Sequence, residues 1–439
     1  MKKILWLAVL ISLMFPFANG YSQEMPAADQ ERRSLSIMRP DLDGLSTWMR
    51  EYEEAPAVSI HEGIAERLRT YQAMGYGTST NLLGYIPYVP DERDQGYCGN
   101  CWVWAGSGIM EIAYSIATAY EDRLSIQFVN SCRNGAACCG GTLGMLTHWY
   151  KEKGYAIPWS NANAFYQDGD NSCGYEKSFE LCKEISKGSK YPITSITTAK
   201  IPTVDLPSHT AVSNIKNVLH QNRGVWFAFF LPNQDAWDQF RSFWTYGGED
   251  DLWNPDSFCG DSYNLQSGGG HAVLVVGYND DDPDPSSHHW IVLNSWGTAN
   301  NWRPNGLFRI PMSFSYSCSY SWPYGRLPAF QFQTLDVSFA KMLILAPNGG
   351  ETLPSDSTQT IRWRAATQAT KVKLFYSKNK GTTWEPILED FVTGTTYDWH
   401  IPTQTVEKKA WLVKAVGYDS SNKKVGADRS DTPFTVSVP

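Results

Sequence analysis

No cysteine occurs before Cys98 or after Cys318 in this chain of 439 residues. A disulfide-braced unit is therefore confined to the middle of the chain, and the segments on either side must hold together without such links. Excess positive charge is lacking too: 37 Lys and Arg stand against 45 Asp and Glu, a net charge of −8. That balance gives no footprint for nucleic acid or an anionic membrane. Beyond Ala18 no apolar run is long enough to span a bilayer core of about 30 Å. Charged residues make up 19% and hydrophobic residues 42%, which excludes global disorder and suits two or three packed domains. No convincing internal repeat is present.

What is there begins with export. Lys2 and Lys3 precede an apolar run from Ile4 to Ala18, broken only by Ser12 and Pro16, and Ala18-Asn19-Gly20 supplies small residues for cleavage. This is the pattern of a secretory signal peptide over 1–20, preferred to a membrane anchor because about fifteen residues are too few to span. No Cys follows the cleavage region, and Phe434 to Pro439 carries no anchor tail. The expectation is an exported, soluble protein, extracellular or periplasmic. In an oxidising compartment most of the nine cysteines should pair, and an odd count leaves at least one over.

Residues 21–82 are rich in charge and helix formers. Leu45, Trp48, Met49 and Tyr52 share one helical face, as do Ile64, Leu68 and Tyr71. Gly75 to Thr80 reads as an exposed connector, so this segment is a small subdomain or a removable pro-region. From 83 to 330 helix and strand signals mix: Trp102–Tyr120 suits a buried helix, and Trp226–Phe230 and Ala272–Val276 suit buried strands. Asp280-Asp281-Asp282-Pro283-Asp284-Pro285 reads as a solvated loop rather than a calcium site. From about 335 helical periodicity is absent. Val372–Tyr376 and Ala410–Ala415 are strand-like, and turns recur at Pro347–Gly350 and Lys380-Gly381. This predicts an all-β sandwich over 341–439.

The segment Gln95-Gly96-Tyr97-Cys98-Gly99-Asn100-Cys101-Trp102 places a C-x-x-C before an apolar helix. A zinc site would want a second Cys/His pair at ligand spacing, and none is clean. A thioredoxin-like motif would follow a strand, whereas Asp94 to Tyr97 reads as a loop. A nucleophile at a helix N-terminus fits, because the dipole and free N–H groups there favour thiolate. Such a thiolate needs a proton donor for the leaving amine, and His suits that task. Among eight His, His271 stands out: it follows Ser267-Gly268-Gly269-Gly270, and glycines permit close approach by another chain. A lone His is ordinarily structural; His288 and His289, in the acidic loop, are read as solvated. Asn294, in Trp290-Ile291-Val292-Leu293-Asn294-Ser295-Trp296-Gly297, is either a turn residue or the amide that orients an imidazole.

Together the three segments resemble the papain family of cysteine proteases, in the family order Cys, His, Asn, over about residues 83–328. Trp302 and Asn305–Ile310 resemble the stretch that follows. The resemblance implies an α+β, two-lobed domain with a helical lobe and a β-barrel lobe. It implies Cys101 as nucleophile, His271 as base, Asn294 as orienter under Trp296, and Gln95 with the Cys101 N–H as oxyanion donors. It implies Gly140 and Gly141 binding extended substrate, with Thr142, Leu143 and Gly269 in a side-chain pocket. It pairs Cys98 with Cys138, Cys132 with Cys173 and Cys259 with Cys318. Cys139 and Cys182 are left for a fourth bridge, with adjacent Cys138 and Cys139 able to exchange roles. Asn100 stands where the family has a small Ser. His271 lies 170 and Asn294 193 residues after Cys101, against about 130–150 in the family, which implies insertions near Trp237–Asp256 and 280–288 that line the cleft. The C-terminal region resembles a bacterial fibronectin or immunoglobulin-like module, through Pro347–Thr352, Ile361–Trp363, Gly381–Trp384 and Ser430–Val436.

The expectation is a secreted thiol protease, made as a zymogen and working as an endopeptidase without cofactor or metal. Its partners would be protein or peptide substrates, with no nucleic acid and no stable membrane insertion. It would be a monomer whose C-terminal module is a spacer or binds a surface or another protein.

Overall fold

The computed structural model describes residues 35–118, 120–133, 137–174, 177–298, 303–340, 342–365 and 369–438. The signal-peptide segment, Trp302 and the start of the N-terminal segment lie outside the described residues. From residue 42 helical spacing becomes α1 (Leu42–Glu54) and α2 (Glu62–Ala73). Asp41 caps α1 by accepting from the Gly44 N–H, and His61 caps α2 through the Ile64 N–H. Leu45, Trp48, Met49 and Tyr52 are all buried, as are Ile64 and Leu68. Tyr71, expected on the same face, is exposed because α2 has run past its support by its last turn.

The central helix α3 (Cys101–Thr118) is buried on nearly every face, as a helix apolar all round must be. A Cβ on Gly106 would lie 2.2 Å from a Leu146 methyl, so the missing side chain lets the neighbouring helix close in. Short α4 (Ile126–Cys132) and α5 (Leu143–Lys153) complete this lobe. Thr142 caps α5, and Gly154 ends it in a left-handed turn at φ 73°. Farther along are α6 (Ser208–His220) and α7 (Gln234–Tyr246).

The second lobe is one eight-stranded sheet. Its strands are β1 (Thr80–Asn81), β2 (Tyr155–Ala156), β3 (Tyr191–Lys200), β4 (Val225–Leu231), β5 (Gly269–Asn279), β6 (His289–Leu293) and β7 (Leu307–Pro311), with β8 (Ser319–Trp322) and β9 (Gly325–Pro328) forming a separate hairpin and β10 (Phe330–Phe339) returning to the sheet. The order is β2-β3-β10-β4-β5-β6-β7, with β1 also on β5. Every residue of β4 is buried, which explains its unbroken apolar run. Phe229 pairs with His271 across β4 and β5, and Leu274 with Leu293 across β5 and β6. That register puts His271 and the residue after Leu293 at one end of the β5–β6 hairpin.

The loop 280–288 closes the other end of that hairpin, so it does not line the cleft as expected. Nor is it wholly solvated. Asp280 pairs with Lys216 and receives hydrogen bonds from Thr78. His289 is buried, because it has already entered β6. Among the described residues no cluster of His, Cys, Asp or Glu is placed to hold a metal, and no helix is long and apolar enough to cross a membrane.

Four disulfides brace the helical lobe and the sheet's rim: Cys98–Cys138, Cys132–Cys182, Cys139–Cys173 and Cys259–Cys318. The expected Cys132–Cys173 and Cys139–Cys182 pairs are thus exchanged. Buried Asp168 is the reason. It accepts from Asn130 on α4 and from Ser178 and the Phe179 N–H, which holds 178–179 against residue 168. The fold leaves Cys173 beside Cys139 and carries Cys182 on to the end of α4.

Two residues after β10 the chain enters β11 (Met342–Ala346) and a second core. Here β13 (Thr358–Ala365) joins β11 and β16 (Thr396–His400), with β12 (Thr352–Pro354) and β15 (Glu385–Pro386) at the edges of the other sheet. That facing sheet is built on β14 (Lys371–Ser377), β17 (Lys408–Tyr418), β18 (Lys424–Arg429) and β19 (Phe434–Ser437). Trp399 and Trp411 pack on Tyr376 at 5.4 and 5.7 Å. The two cores meet at Arg364 of β13, which donates to the hydroxyls of Tyr114 on α3 (3.1 Å) and Tyr191 on β3 (3.4 Å). Those two rings stack at 4.3 Å, and Tyr191 donates on to Asp122. Replacing Arg364 with Ala removes two charge-assisted bonds, and should destabilise the chain by about 1–3 kcal/mol. An unchanged denaturation midpoint, followed by tryptophan fluorescence, would show the junction to be only a contact.

Candidate active site

Cys101 is the first residue of α3 and the one free cysteine among the described residues. Its Sγ accepts from the Ala272 N–H at 3.4 Å, which joins the helical lobe to the sheet lobe one residue from His271. His271 is the third residue of β5, with its imidazole stacked on the Trp296 indole at 4.4 Å. Its Nε2 lies 2.7 Å from Asn294 Oδ1, which also accepts the Ser295 N–H at 2.8 Å. The Ser295 N–H donor identifies that atom as the oxygen, an acceptor only, so the facing Nε2 carries the proton and Nδ1 keeps its lone pair. Nδ1 has no hydrogen-bond partner among the described residues. Cys101, His271 and Asn294 are thus brought together.

Gln95 joins them from the loop before α3. Its Oε1 accepts from Ser295 Oγ at 2.7 Å, which turns Nε2 towards the cleft. Nε2 donates to the carbonyls of Cys98 (2.8 Å) and Ser36 (3.1 Å). The motif reading passed over Ser295, although its place beside Asn294 was the available signal. Arg93 was also missed. Buried, it donates to the carbonyls of Asn294 (3.2 Å) and Trp104 (3.0 Å), and so links the orienting amide to the helix of Cys101.

The cleft between the lobes is filled by the chain's own residues 35–38. Met38 and Gly270 exchange backbone hydrogen bonds of 2.8 and 2.9 Å. A Cβ on Gly269 would meet the Met38 carbonyl at 2.8 Å, so the glycine run before His271 does admit another chain segment. Gly140, at φ 97°, lies beneath Met38 and Trp48, and a Cβ there would be 2.9 and 2.7 Å from them. Gly141 packs on Trp102. Thr142 donates to Glu51 of α1 at 2.6 Å. Leu143, expected in a side-chain pocket, instead packs inward on Gly106 of α3 and belongs to the core. Trp296 donates its indole N–H to Ser36, 3.1 Å away. Behind the imidazole, α7 sets Phe240 at 5.4 Å and Trp244 at 6.0 Å from Trp296. Buried Arg303 caps this helix through the Phe243 and Trp244 carbonyls. The expected insertion near 237–256 therefore walls the back of the site.

Burial sets the protonation. It pushes the Cys101 thiol up to about 12, against the pull of the Ala272, Trp102 and Cys101 N–H groups. It drives the His271 imidazole down to about 3, against the Asn294 hydrogen bond. With 35–38 in place both groups are neutral near pH 7.

Residues 85–232 and 256–321 match the family model described as papain family cysteine protease, and the unmatched stretch between them contains α7. Over these residues the chain carries a papain family cysteine protease domain, with a papain-like α+β fold and an additional β-rich C-terminal region. It is 28% identical over 232 residues to the oryzain gamma chain of Oryza sativa subsp. japonica, covering 51% of this chain and 52% of that protein. The chain thus spans about half the length of that curated relative. Among solved structures it is similar to the bromelain protease from Ananas comosus in complex with the E64 inhibitor, with a TM-score of 0.39, 22% identity, and coverage of 58% and 96% of the two chains. Its C-terminal region is similar to fibronectin(III)-like modules of Clostridium thermocellum, with a TM-score of 0.16, 18% identity, and coverage of 22% and 93%.

The pKa directions predict how the closed cleft responds to pH. Burial in the closed cleft holds His271 near 3, and opening moves it back up towards the ordinary imidazole range. The closed state therefore loses up to about 1.4 kcal/mol per pH unit as pH falls through the gap between the two. Cys101 works in the opposite direction, because burial favours the thiol and the closed state loses stability as rising pH ionises Cys101 in the open cleft. In a Cys101→Ser chain, which isolates the imidazole, hydrogen-exchange protection of the Met38 amide should drop at least tenfold between pH 7 and pH 5, after correction for intrinsic rates. Equal protection at both values would sink the argument.

Proposed function

We propose that the chain is an exported cysteine endopeptidase, held inactive by its own N-terminal segment. The observation that carries this reading is the Cys101 thiol at the N-terminus of α3, one residue across from a His271 whose Nε2 is bonded to Asn294. Once 35–38 leave, solvent and substrate reach both groups. The thiol proton then passes to His271 Nδ1, the nitrogen with a free lone pair, while the helix N-terminus and the Ala272 N–H support the thiolate.

The thiolate attacks the scissile carbonyl carbon. Gln95 Nε2 and the Cys101 N–H receive the oxyanion, at the place where the Ser36 carbonyl now accepts from Gln95. The imidazolium gives its proton to the leaving amine, and a thioester remains. Water attacks the thioester, His271 takes its proton, and the carboxylic acid leaves as Sγ departs. Asn294 holds the imidazole through both halves, and Trp296 covers that bond. Gly140 and Gly141 then bind extended substrate where Met38 lies in the closed chain.

In this reading residues 21–82 are the pro-region and 1–20 the export signal. Residues 83–330 are the catalytic domain and 341–439 a fibronectin- or immunoglobulin-like module. That module binds a surface or another protein, or spaces the enzyme from one.

The test uses chain from which the N-terminal segment has been trimmed. A thiol-directed epoxide should add its mass to Cys101, and a casein-like protein should yield new peptide termini. Cross-linking without cleavage would make the chain a transferase, and no labelling would make it a binding protein on the same fold. Cys101→Ser should abolish cleavage with folding intact. Gln95→Ala should lower kcat by about 10²–10³ with little change in KM.

A further inference from the structure

The junction between α2 and β1 differs sharply on its two sides. Met74 and Tyr76 are 62% and 66% exposed. Gly75 ends α2 in a left-handed turn at φ 73°, and the Tyr76 N–H closes back on the Tyr71 carbonyl at 3.0 Å. A groove of about 750 Å³ undercuts α2 on the side facing α6. Helix ends of this kind open at low cost.

Two residues further on the backbone is fastened. Thr78 is only 9% exposed. Its N–H and hydroxyl donate to the two oxygens of Asp280, at 2.6 and 2.9 Å. Its carbonyl accepts from the Tyr278 hydroxyl at 2.6 Å and lies 3.1 Å from His220 Nε2. Thr80 and Asn81 pair with Tyr278 and Gly277, and the Leu82 N–H reaches the Val276 carbonyl at 2.7 Å. The connector from Gly75 to Thr80, expected from sequence to be exposed, is therefore fastened from Thr78 onwards.

Gly77 is the last residue before the anchor, and it lies against the acidic loop. A Cβ there would be 2.0 Å from Asp281 Oδ1 and 2.7 Å from the Asp281 Cα. Lys216 is paired with the part-buried Asp280 beside it, not with Asp281. The Gly77 Cα thus faces the Asp281 carboxylate at close range, and the peptide nitrogen attached to it carries no charge to meet that carboxylate.

We infer that the chain is processed by hydrolysis of the Tyr76–Gly77 bond and that the new amino terminus is held by Asp281. This rests on the reading of the N-terminal segment as a removable pro-region, and moves the end of that region from residue 82 to Tyr76. Water supplies hydroxyl to the Tyr76 carbonyl carbon and a proton to the Gly77 nitrogen. Near neutral pH the products are a Tyr76 carboxylate and a Gly77 ammonium. The carboxylate leaves with α2. The ammonium stays with β1, which remains a strand of the sheet that carries His271.

The full wild-type chain is incubated under reducing conditions until processing stops, and the retained fragment is weighed. A fragment beginning at Gly77 is expected, and one beginning anywhere else overturns the inference. Full activity from a chain that stays uncut also overturns it, while leaving the peptidase reading intact. A Cys101→Ser chain treated with an added broad-specificity endopeptidase should give the same fragment. The location of the cut is thereby tested even if the chain is no peptidase. Asp281→Asn should lower the Tm of the cut form by about 1–3 °C, an effect lost at high salt, and leave the uncut form unchanged. Equal effects on both forms, or none on either, overturn the capture of the amino terminus.

Discussion

The contact on which the rest depends is the 3.4 Å approach of the Cys101 Sγ to the Ala272 N–H. It brings the first residue of a helix against the third and fourth residues of a strand from the other lobe, and much of the nearby sequence serves that approach. Arg93 bonds to the helix and to the Asn294 carbonyl at once. The Gln95 N–H reaches the Ser295 carbonyl, and the Gly297 N–H the Arg93 carbonyl, so the loop before the helix is stitched to the loop after β6. A Cβ on Gly108 would lie 2.5 Å from Leu274, two residues beyond Ala272, so α3 can lie directly on β5. A buried guanidinium bonded to carbonyls is costly to lose, since those acceptors would be left unpaired. The site is stiff because several independent bonds hold the same two elements together.

What sequence revealed, and what it did not, divides along local and non-local lines. The convergence of Cys101, His271, Asn294 and Gln95 was legible because each sits in a short segment with its own chemical signature. The strands Val225–Leu231 and Gly269–Asn279 were legible because strands buried on both faces are continuous apolar runs. The pairing of Cys132 and Cys139 was not, because it is decided by buried Asp168, whose partners lie up to 38 residues away in the chain. His289 looked solvated because its neighbours are acidic and polar, yet β6 had already begun. The connector before β1 looked exposed because Gly and Thr are turn residues. Its fastening comes from Asp280, about 200 residues on. Leu143 was assigned by position to a pocket, whereas the direction of its side chain is fixed by α5 packing on α3.

The closed cleft couples occupancy to charge. The segment 35–38 lying over Cys101 and His271 does more than fill the cleft, because it also removes the water that would stabilise a thiolate and an imidazolium. The backbone bonds between Met38 and Gly270 are ordinary sheet bonds, worth about 1 kcal/mol each net. The fully buried pair they cover is shifted by several pH units at each group. The plug is thus held by weak contacts over a strongly perturbed pair, an arrangement that closes firmly at neutral pH and can still be opened.

The same helix connects the site to the C-terminal sandwich. Cys101 begins α3, and Tyr114 near its other end receives the Arg364 guanidinium. Eighteen residues of helix span about 27 Å. Leu343, on β11, is buried in the core of the two-lobed domain, while its neighbour Met342 is buried in the sandwich core. Asn348 donates to the Gly188 carbonyl at 2.8 Å, and Lys190 faces Asp431 at 3.7 Å. A spacer joined by a flexible tether would show neither shared burial nor bonds between side chains on both sides. The junction therefore braces the far end of the helix that carries the thiol. Loosening it would act first on the alignment of α3, and through α3 on the approach of Cys101 to the strand that bears His271.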